Sequence, residues 1–212
     1  MLMMRTLRHL LICLFCLSSA SLAFADDTYV TVLSPYCSMV SHGTPQGTHL
    51  SCATYHQTTG YTCGPAAVMM LMHYYHMLGN RDLNGKTEMR IAQEMGATQE
   101  NEGSSSSQME DWLSIHGMQV DSGNGVDTDF LINNLKDGKP VIVGYNRHWL
   151  LAKGFNKGSK PEEDQIIFAD SCCNVSVMSR ETLDNMQQEA RMPENHCAGN
   201  VGQYIVATPK GH

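Results

Sequence analysis

The sequence predicts an α+β fold, with helices first and an antiparallel sheet after them. Two observations carry that expectation. Between Cys63 and Gly138 the chain falls into Ala-, Leu- and Met-bearing segments, closed in turn by Gly79, Gly96, Gly117 and Gly138, and glycine just past a helical run is the usual helix stop. From Lys139 the pattern changes to short β-branched and aromatic runs lying close together, which suits strands. A third feature gives the fold its interest. Cys63-Gly64-Pro65 opens the first helical segment, and Pro65 suits a first helical turn because its missing N–H would be unbonded there anyway.

Taken from the start, residues 1–25 read as a signal peptide. Arg5 and Arg8 form a positive n-region, LLICLFCL an apolar h-region, and Ala23-Phe24-Ala25 the small-residue cleavage pattern. The apolar run is short for a membrane span. Residues 26–212 then form one expected domain, exported to a periplasmic or extracellular compartment, with no membrane span left after cleavage. Cleavage removes two basic and no acidic residues, moving the formal net charge from −7 to −9. That excess of negative charge argues against nucleic acid or an anionic membrane surface as partner.

Tyr29–Leu33 is a strand candidate, and from Ser34 to Tyr55 the composition is that of a loop. The first helix runs from about Cys63 toward Gly79. Lys86–Met95 follows, with Met89, Ala92 and Met95 at spacing three. In SQMEDWLSIHG, Ser107 and Glu110 fit a capping box, with Met109, Trp112 and Leu113 as the apolar face. Met118–Val120 is a short strand candidate, and Asp127 caps a helix that ends at Gly138. The strand runs are Val141–Tyr145, His148–Phe155, Gln165–Asp170, Val175–Met178 and Gly202–Thr208, with a Ser179-capped helix, RETLDNMQQEA, before the last.

Six of the eight cysteines lie beyond residue 25: Cys37, Cys52, Cys63, Cys172, Cys173 and Cys197. An exported chain meets an oxidising compartment, and the expected bridges are Cys37–Cys52 and Cys197 with Cys172 or Cys173. No CxxC or HxxxH spacing suggests zinc. His73 and His76 sit three apart on the first helix, where an exposed face or core edge is the simpler reading. No metal or cofactor is expected.

Chemistry gathers at four residues. The N-terminus of a helix carries about half a positive charge, which favours a thiolate over a thiol, so Cys63 is a candidate nucleophile, with a buried structural cysteine as the competing reading. Gln57, six residues earlier, can turn its amide toward the sulfur and donate to an oxyanion. His148 heads one strand and Asp170 ends the next. The start of one antiparallel strand and the end of its hairpin partner are neighbours, so the two can pair as base and orienter. Taken alone, His148 could simply begin a strand and Asp170 a turn.

In this order, QTTGYTCGPAAVMM, GKPVIVGYN, HWLLAKGF and IIFADS resemble the papain-like cysteine peptidases of the bacteriocin-processing (double-glycine leader) type, and most of all their stand-alone peptidase-like branch. The resemblance implies a papain-like fold with Cys63 as nucleophile, His148 as base, Asp170 as its orienter and Gln57 as oxyanion donor. Family members often carry Pro after the Asp, whereas this chain has Ser171-Cys172-Cys173. The function so implied is an exported cysteine peptidase or related amide hydrolase acting on a peptide or protein. The alternatives are an acyltransferase using the same chemistry and a non-catalytic binding or assembly protein on this fold. Leader processing is a poor substrate guess for an exported chain without a transporter.

Overall fold

A computed structural model describes residues 47–190 and 200–211, with backbone alone for 186–190. The expected signal segment and Tyr29–Leu33 strand, with Cys37 and Cys197, lie outside the described residues.

Helix α1 (Cys63–Tyr74) is buried along its whole first ten residues, from Cys63 to Met72. A helix apolar all round must be covered on every side, and AAVMMLM meets that condition. It stops short of Gly79: from Tyr74 the HYYH run is polar, and His76 turns into the left-handed region at φ 58°. Helix α2 (Gly85–Met95) starts at Asn84, whose side chain accepts from the Lys86 and Thr87 N–H groups, and ends at left-handed Gly96. Its inward face is Glu88, Ile91, Ala92 and Met95, while Met89 is exposed. Of the expected stripe, Ala92 and Met95 face inward and Met89 does not.

Helix α3 (Ser106–Ile115) begins with a capping box, but Ser105 and Gln108 form it rather than Ser107 and Glu110. The four serines Ser104–Ser107 allow several starts. The chosen one lets Gln108 Nε2 also donate to the Gly96 carbonyl at 3.3 Å, which caps the end of α2. Strand β1 (Met118–Asn124) is longer than expected. Helix α4 (Thr128–Lys136) is capped by Asp127, which accepts from the Phe130 N–H at 2.7 Å.

Strands β2 (Val141–Tyr145), β3 (His148–Asn156), β4 (Gln165–Asp170) and β5 (Asn174–Ser179) follow, then helix α5 (Arg180–Ala190) and strand β6 (Gln203–Pro209). The sheet order is β1-β6-β2-β3-β4-β5, with every pair antiparallel. Side chains alternate across a sheet, and both faces are covered. Ile142, Trp149 and Leu151 pack with α1, α2 and α3, while Val141, Val143, Leu150 and Ala152 pack with α4 and α5. This is why VIV and WLLA read as continuous apolar runs.

The segment before α1 is laid along β3. Leu50 N–H donates to the Lys153 carbonyl at 2.7 Å and Phe155 N–H to the Thr48 carbonyl at 2.9 Å. The register between β3 and β4 shifts between Ala152 and Gly154, and a Cβ at Gly154 would lie 2.8 Å from the Thr48 carbonyl oxygen. Among the described residues no helix is long and apolar enough to cross a membrane.

Candidate active site

The approach to Cys63 is organised by one buried carboxylate. Glu88, on the inward face of α2, has no exposed surface. It accepts from Tyr55 Oη at 2.7 Å, from the Thr58 N–H at 2.9 and 3.1 Å, from Thr58 Oγ1 at 2.8 Å, and from Thr62 Oγ1. A buried charge is tolerated only when its lone pairs are satisfied, and here the loop Tyr55–Thr62 satisfies them. That fixes the backbone entering α1 and places Cys63 in its first turn. The N–H groups of Cys63 and Gly64 have no partner within the helix, as at any helix start.

On the sheet side, β2 and β3 are joined by the two-residue turn Asn146-Arg147, at φ 47° and 63°. Two left-handed residues match the twist of a tight hairpin, so His148 is set directly opposite Tyr145. Asn200 Nδ2 holds the His148 carbonyl at 2.8 Å. His148 Nε2 lies 2.9 Å from Asp170 Oδ1 at the end of β4. That carboxylate is buried and well supplied with donors: Cys172 N–H at 2.8 Å and Cys173 N–H at 3.3 Å on Oδ1, and the Ser176 hydroxyl on Oδ2.

Burial alone would push the Asp170 carboxyl up. The hydrogen bonds from His148, Ser176 and the Cys172 N–H, with the His148 charge, outweigh it and lower the pKa to about 2. Burial likewise opposes charge on His148, but its bond to Asp170 and its contact with Cys63 raise the imidazole to about 9. With Nε2 taken by Asp170, Nδ1 is the nitrogen left to face the Cys63 sulfur. His148 and Asp170 are therefore one hydrogen-bonded pair on the sheet, and Cys63, at the head of the helix, is near enough to act on the imidazole.

Gln57 is held between its own loop and the end of β4. Its backbone N–H donates to the Ser171 carbonyl at 3.0 Å, its Nε2 donates to the Thr59 carbonyl at 2.6 Å, and its Oε1 accepts from Ser171 Oγ at 2.6 Å. A cleft of about 260 Å³ opens over the sulfur, lined by Cys63, Glu102, Ser104, Arg147, Trp149 and Gln203 among others. The exposed Arg147–Glu102 ion pair lies at that cleft. Trp149 is buried and donates from Nε1 to the Ser104 carbonyl at 3.0 Å, so it joins the two walls as well as lining one of them.

The cysteines correct one expectation. Cys52 is not bridged to Cys37: it is a free thiol, packed among the core side chains around α1. Burial pushes it up to about 12, with Lys153 acting against that. The hydrogen bonds of Leu50 and Thr48 to β3 draw Cys52 inward, where the composition of this stretch suggested an open loop. Cys172 is free and exposed, and partial burial and the charges of Asp170 and Cys63 raise its pKa. Cys173 is disulfide-bonded. Among the described residues no group of three or more His, Cys, Asp or Glu side chains could hold a metal ion. His73 Nε2 instead pairs with Asn80 Oδ1 at 2.7 Å.

Sequence reasoning passed over Glu88, Ser171 and Ser176. Only Glu88 left a signal, since Ile91 and Met95 at i+3 and i+7 put it on the apolar face. The hydroxyls of Ser171 and Ser176 act through contacts that no local spacing encodes.

A cysteine at the head of a buried helix, opposite a His-Asp pair on an antiparallel sheet, defines the papain-like cysteine peptidase architecture. Residues 49–196 match the model of the peptidase C39-like family. The chain belongs to that family, and it is a papain-like cysteine peptidase, a hydrolase. Among solved structures it is similar to a double-glycine-motif protease from an AMS/PCAT transporter, solved in complex with the leader peptide. The identity is 14%, the match covers 76% of this chain and 94% of that one, and the TM-score is 0.51. The peptidase domain of Streptococcus ComA, a bifunctional ABC transporter involved in a quorum-sensing pathway, matches at 14% identity over 74% of this chain and 98% of its own, with a TM-score of 0.47. No curated protein sequence matches the chain.

Proposed function

We propose that this is an exported cysteine peptidase in which Cys63 is the nucleophile, His148 the acid and base, Asp170 the orienter of the imidazole and Gln57 an oxyanion donor. The observation that carries the proposal is the 2.9 Å His148–Asp170 hydrogen bond at one end of the sheet, with Cys63 near enough to the imidazole to help raise it to about 9. At neutral pH such a histidine is an imidazolium, the counter-ion a nucleophilic sulfur needs.

The chemistry follows. Cys63 Sγ attacks the carbonyl carbon of a peptide bond, and the π electrons move onto oxygen. The oxyanion is met by the Gln57 amide and a first-turn N–H of α1, where the helix adds its positive end. His148 gives its Nδ1 proton to the leaving amine as the C–N bond breaks, which leaves an acyl thioester on Cys63. Water, deprotonated by the now neutral His148, attacks the thioester, and the thiolate leaves. Asp170, lowered to about 2, stays ionised throughout and stabilises each imidazolium.

Residues 26–212 act in this proposal as one exported domain with a peptide or protein substrate. The n-region, h-region and Ala23-Phe24-Ala25 pattern support export. The test is a digest of a proteome-derived peptide library by the purified protein, read by mass spectrometry. New termini are expected with wild type and none with Cys63→Ala. Identical products from both would overturn the proposal. Each cut should add one water, and a product carrying an added amine instead would mark acyl transfer.

A further inference from the structure

Ser171 follows Asp170 at the point where β4 ends, and its side chain has no exposed surface. Its hydroxyl oxygen lies 2.6 Å from Gln57 Oε1, and its carbonyl receives the Gln57 backbone N–H at 3.0 Å. On the other side of the same amide, Nε2 lies 2.6 Å from the Thr59 carbonyl oxygen. These contacts leave one consistent pattern. The Thr59 carbonyl can only accept, so the nitrogen of the Gln57 amide must face it and the amide oxygen must face Ser171. Two oxygens at that distance need a proton between them, and the only one available is that of the Ser171 hydroxyl.

We propose that Ser171 is the positioning residue of the oxyanion hole: the Thr59 carbonyl decides which end of the Gln57 amide faces it, and the Ser171 hydroxyl holds the amide there, so that Nε2, not Oε1, is presented to the developing oxyanion. The proposal rests on Gln57 being the oxyanion donor. Nε2 has two N–H bonds, of which Thr59 takes one and the other serves the substrate. A glutamine amide turns readily about its last torsion, which is broad and roughly two-fold. Rotated by half a turn it would offer a carbonyl oxygen to an anion. The Thr59 carbonyl, which can only accept, disfavours that state, and the Ser171 hydroxyl, donating to Oε1, holds the amide in the other one. Proline at this position would keep the carbonyl that holds the Gln57 backbone but would lack the hydroxyl. Since Ser171 is joined to Asp170 by one peptide bond, the two halves of the site, imidazole orientation and oxyanion binding, are set by neighbouring residues at a single strand end.

The experiment compares wild type, Ser171→Ala, Gln57→Ala and the double variant with p-nitrophenyl acetate as acyl donor and iodoacetamide as alkylating probe. Ester turnover builds an oxyanion and alkylation does not. The proposal expects Ser171→Ala to lower kcat about ten- to hundredfold with KM nearly unchanged. It also expects an unchanged rate of Cys63 alkylation and no further loss when Ser171→Ala is added to Gln57→Ala. Ser171→Thr, which retains a hydroxyl, should recover most of the rate. If Gln57→Ala lowers kcat but Ser171→Ala does not, or the two losses multiply in the double variant, Ser171 is structural only. If Gln57→Ala itself leaves kcat intact, the oxyanion assignment fails and this proposal with it. Should Ser171→Ala not fold, Ser171→Cys replaces it: a thiol fills the site but donates weakly, and the same kcat-selective loss is required of it.

Discussion

Replacing Asp170 by Asn isolates the electrostatic part of the site. The amide has the shape of the carboxylate, and the surroundings decide how it sits. The Cys172 and Cys173 N–H groups both point at Oδ1, so the oxygen of an asparagine belongs there and continues to accept from His148 Nε2. The nitrogen then faces Ser176 Oγ, which can turn from donor to acceptor. The tautomer that an amide scrambles in other nucleophile–base–orienter sets is protected here by two backbone donors. What the variant loses is the charge. His148 stands at about 9 against an ordinary 6.5, through Asp170 and Cys63 together and against burial. Removing one of the two supports should bring it down by about one to two units, or about 1.4–2.7 kcal/mol and ten- to hundredfold in the imidazolium-dependent step. The assay is an NMR titration of the histidine Cε1–H resonances, with His148 assigned by its loss in His148→Gln. A wild-type midpoint near 9 that falls by one to two units in Asp170→Asn is expected. A wild-type midpoint at or below the ordinary value, or a variant midpoint equal to that of wild type, would refute the reasoning.

The same shifts set the pH dependence of stability. His148 is raised on folding, so its contribution is complete below about 6.5 and is lost as the pH climbs toward 9. Asp170 is lowered, so its contribution is complete above about 4 and is lost as the pH falls toward 2. Urea midpoints should therefore be highest between about pH 4 and 6.5, and His148→Gln should flatten the alkaline side; an unchanged alkaline side contradicts the pairing. Glu88→Ala strips the acceptor from Thr58 and Thr62 and should destabilise by about 3–5 kcal/mol. Glu88→Gln should cost less, because the hydroxyls can reverse, and denaturation of Glu88→Ala within 1 kcal/mol of wild type would show that the hub is dispensable. Gln57→Ala should lower turnover of p-nitrophenyl acetate by about 10²–10³ while Cys63 still alkylates, and a loss of alkylation would point to a damaged helix start instead.

The parts of this molecule that a reader of the sequence can foresee are those whose cause is local. Pro65 marks the start of α1, Asp127 caps α4, and the paired apolar runs after Lys139 place His148 and Asp170 at one end of a hairpin, because in an antiparallel pair the start of one strand lies beside the end of the next. What escapes is decided across long stretches of chain. Nothing near Gln203–Pro209 says that the last strand lies between β1 and β2. Glu88 looks solvent-facing by its charge and is buried because hydroxyls some thirty positions earlier in the chain need it. Cys52 looks like half of a loop bridge until Leu50 is seen bonded to β3. The Ser105 start of α3 was one of several that a run of serines allows, and the Gly96 carbonyl selects it.

The measurement that bears most directly on Cys63 as the nucleophile is mapping of the modified cysteine after brief treatment of the purified protein with a small thiol-directed electrophile near pH 6. Three thiols compete among the described residues. Cys52 is buried and raised to about 12, and Cys172 is open to solvent but raised by partial burial and by the charges of Asp170 and Cys63. Accessibility alone favours Cys172, whereas activation by the His148 imidazolium favours Cys63. Label on Cys63, reduced in His148→Gln, is the expected result. Label on Cys172 with Cys63 untouched, or Cys63 labelling indifferent to His148, would contradict it.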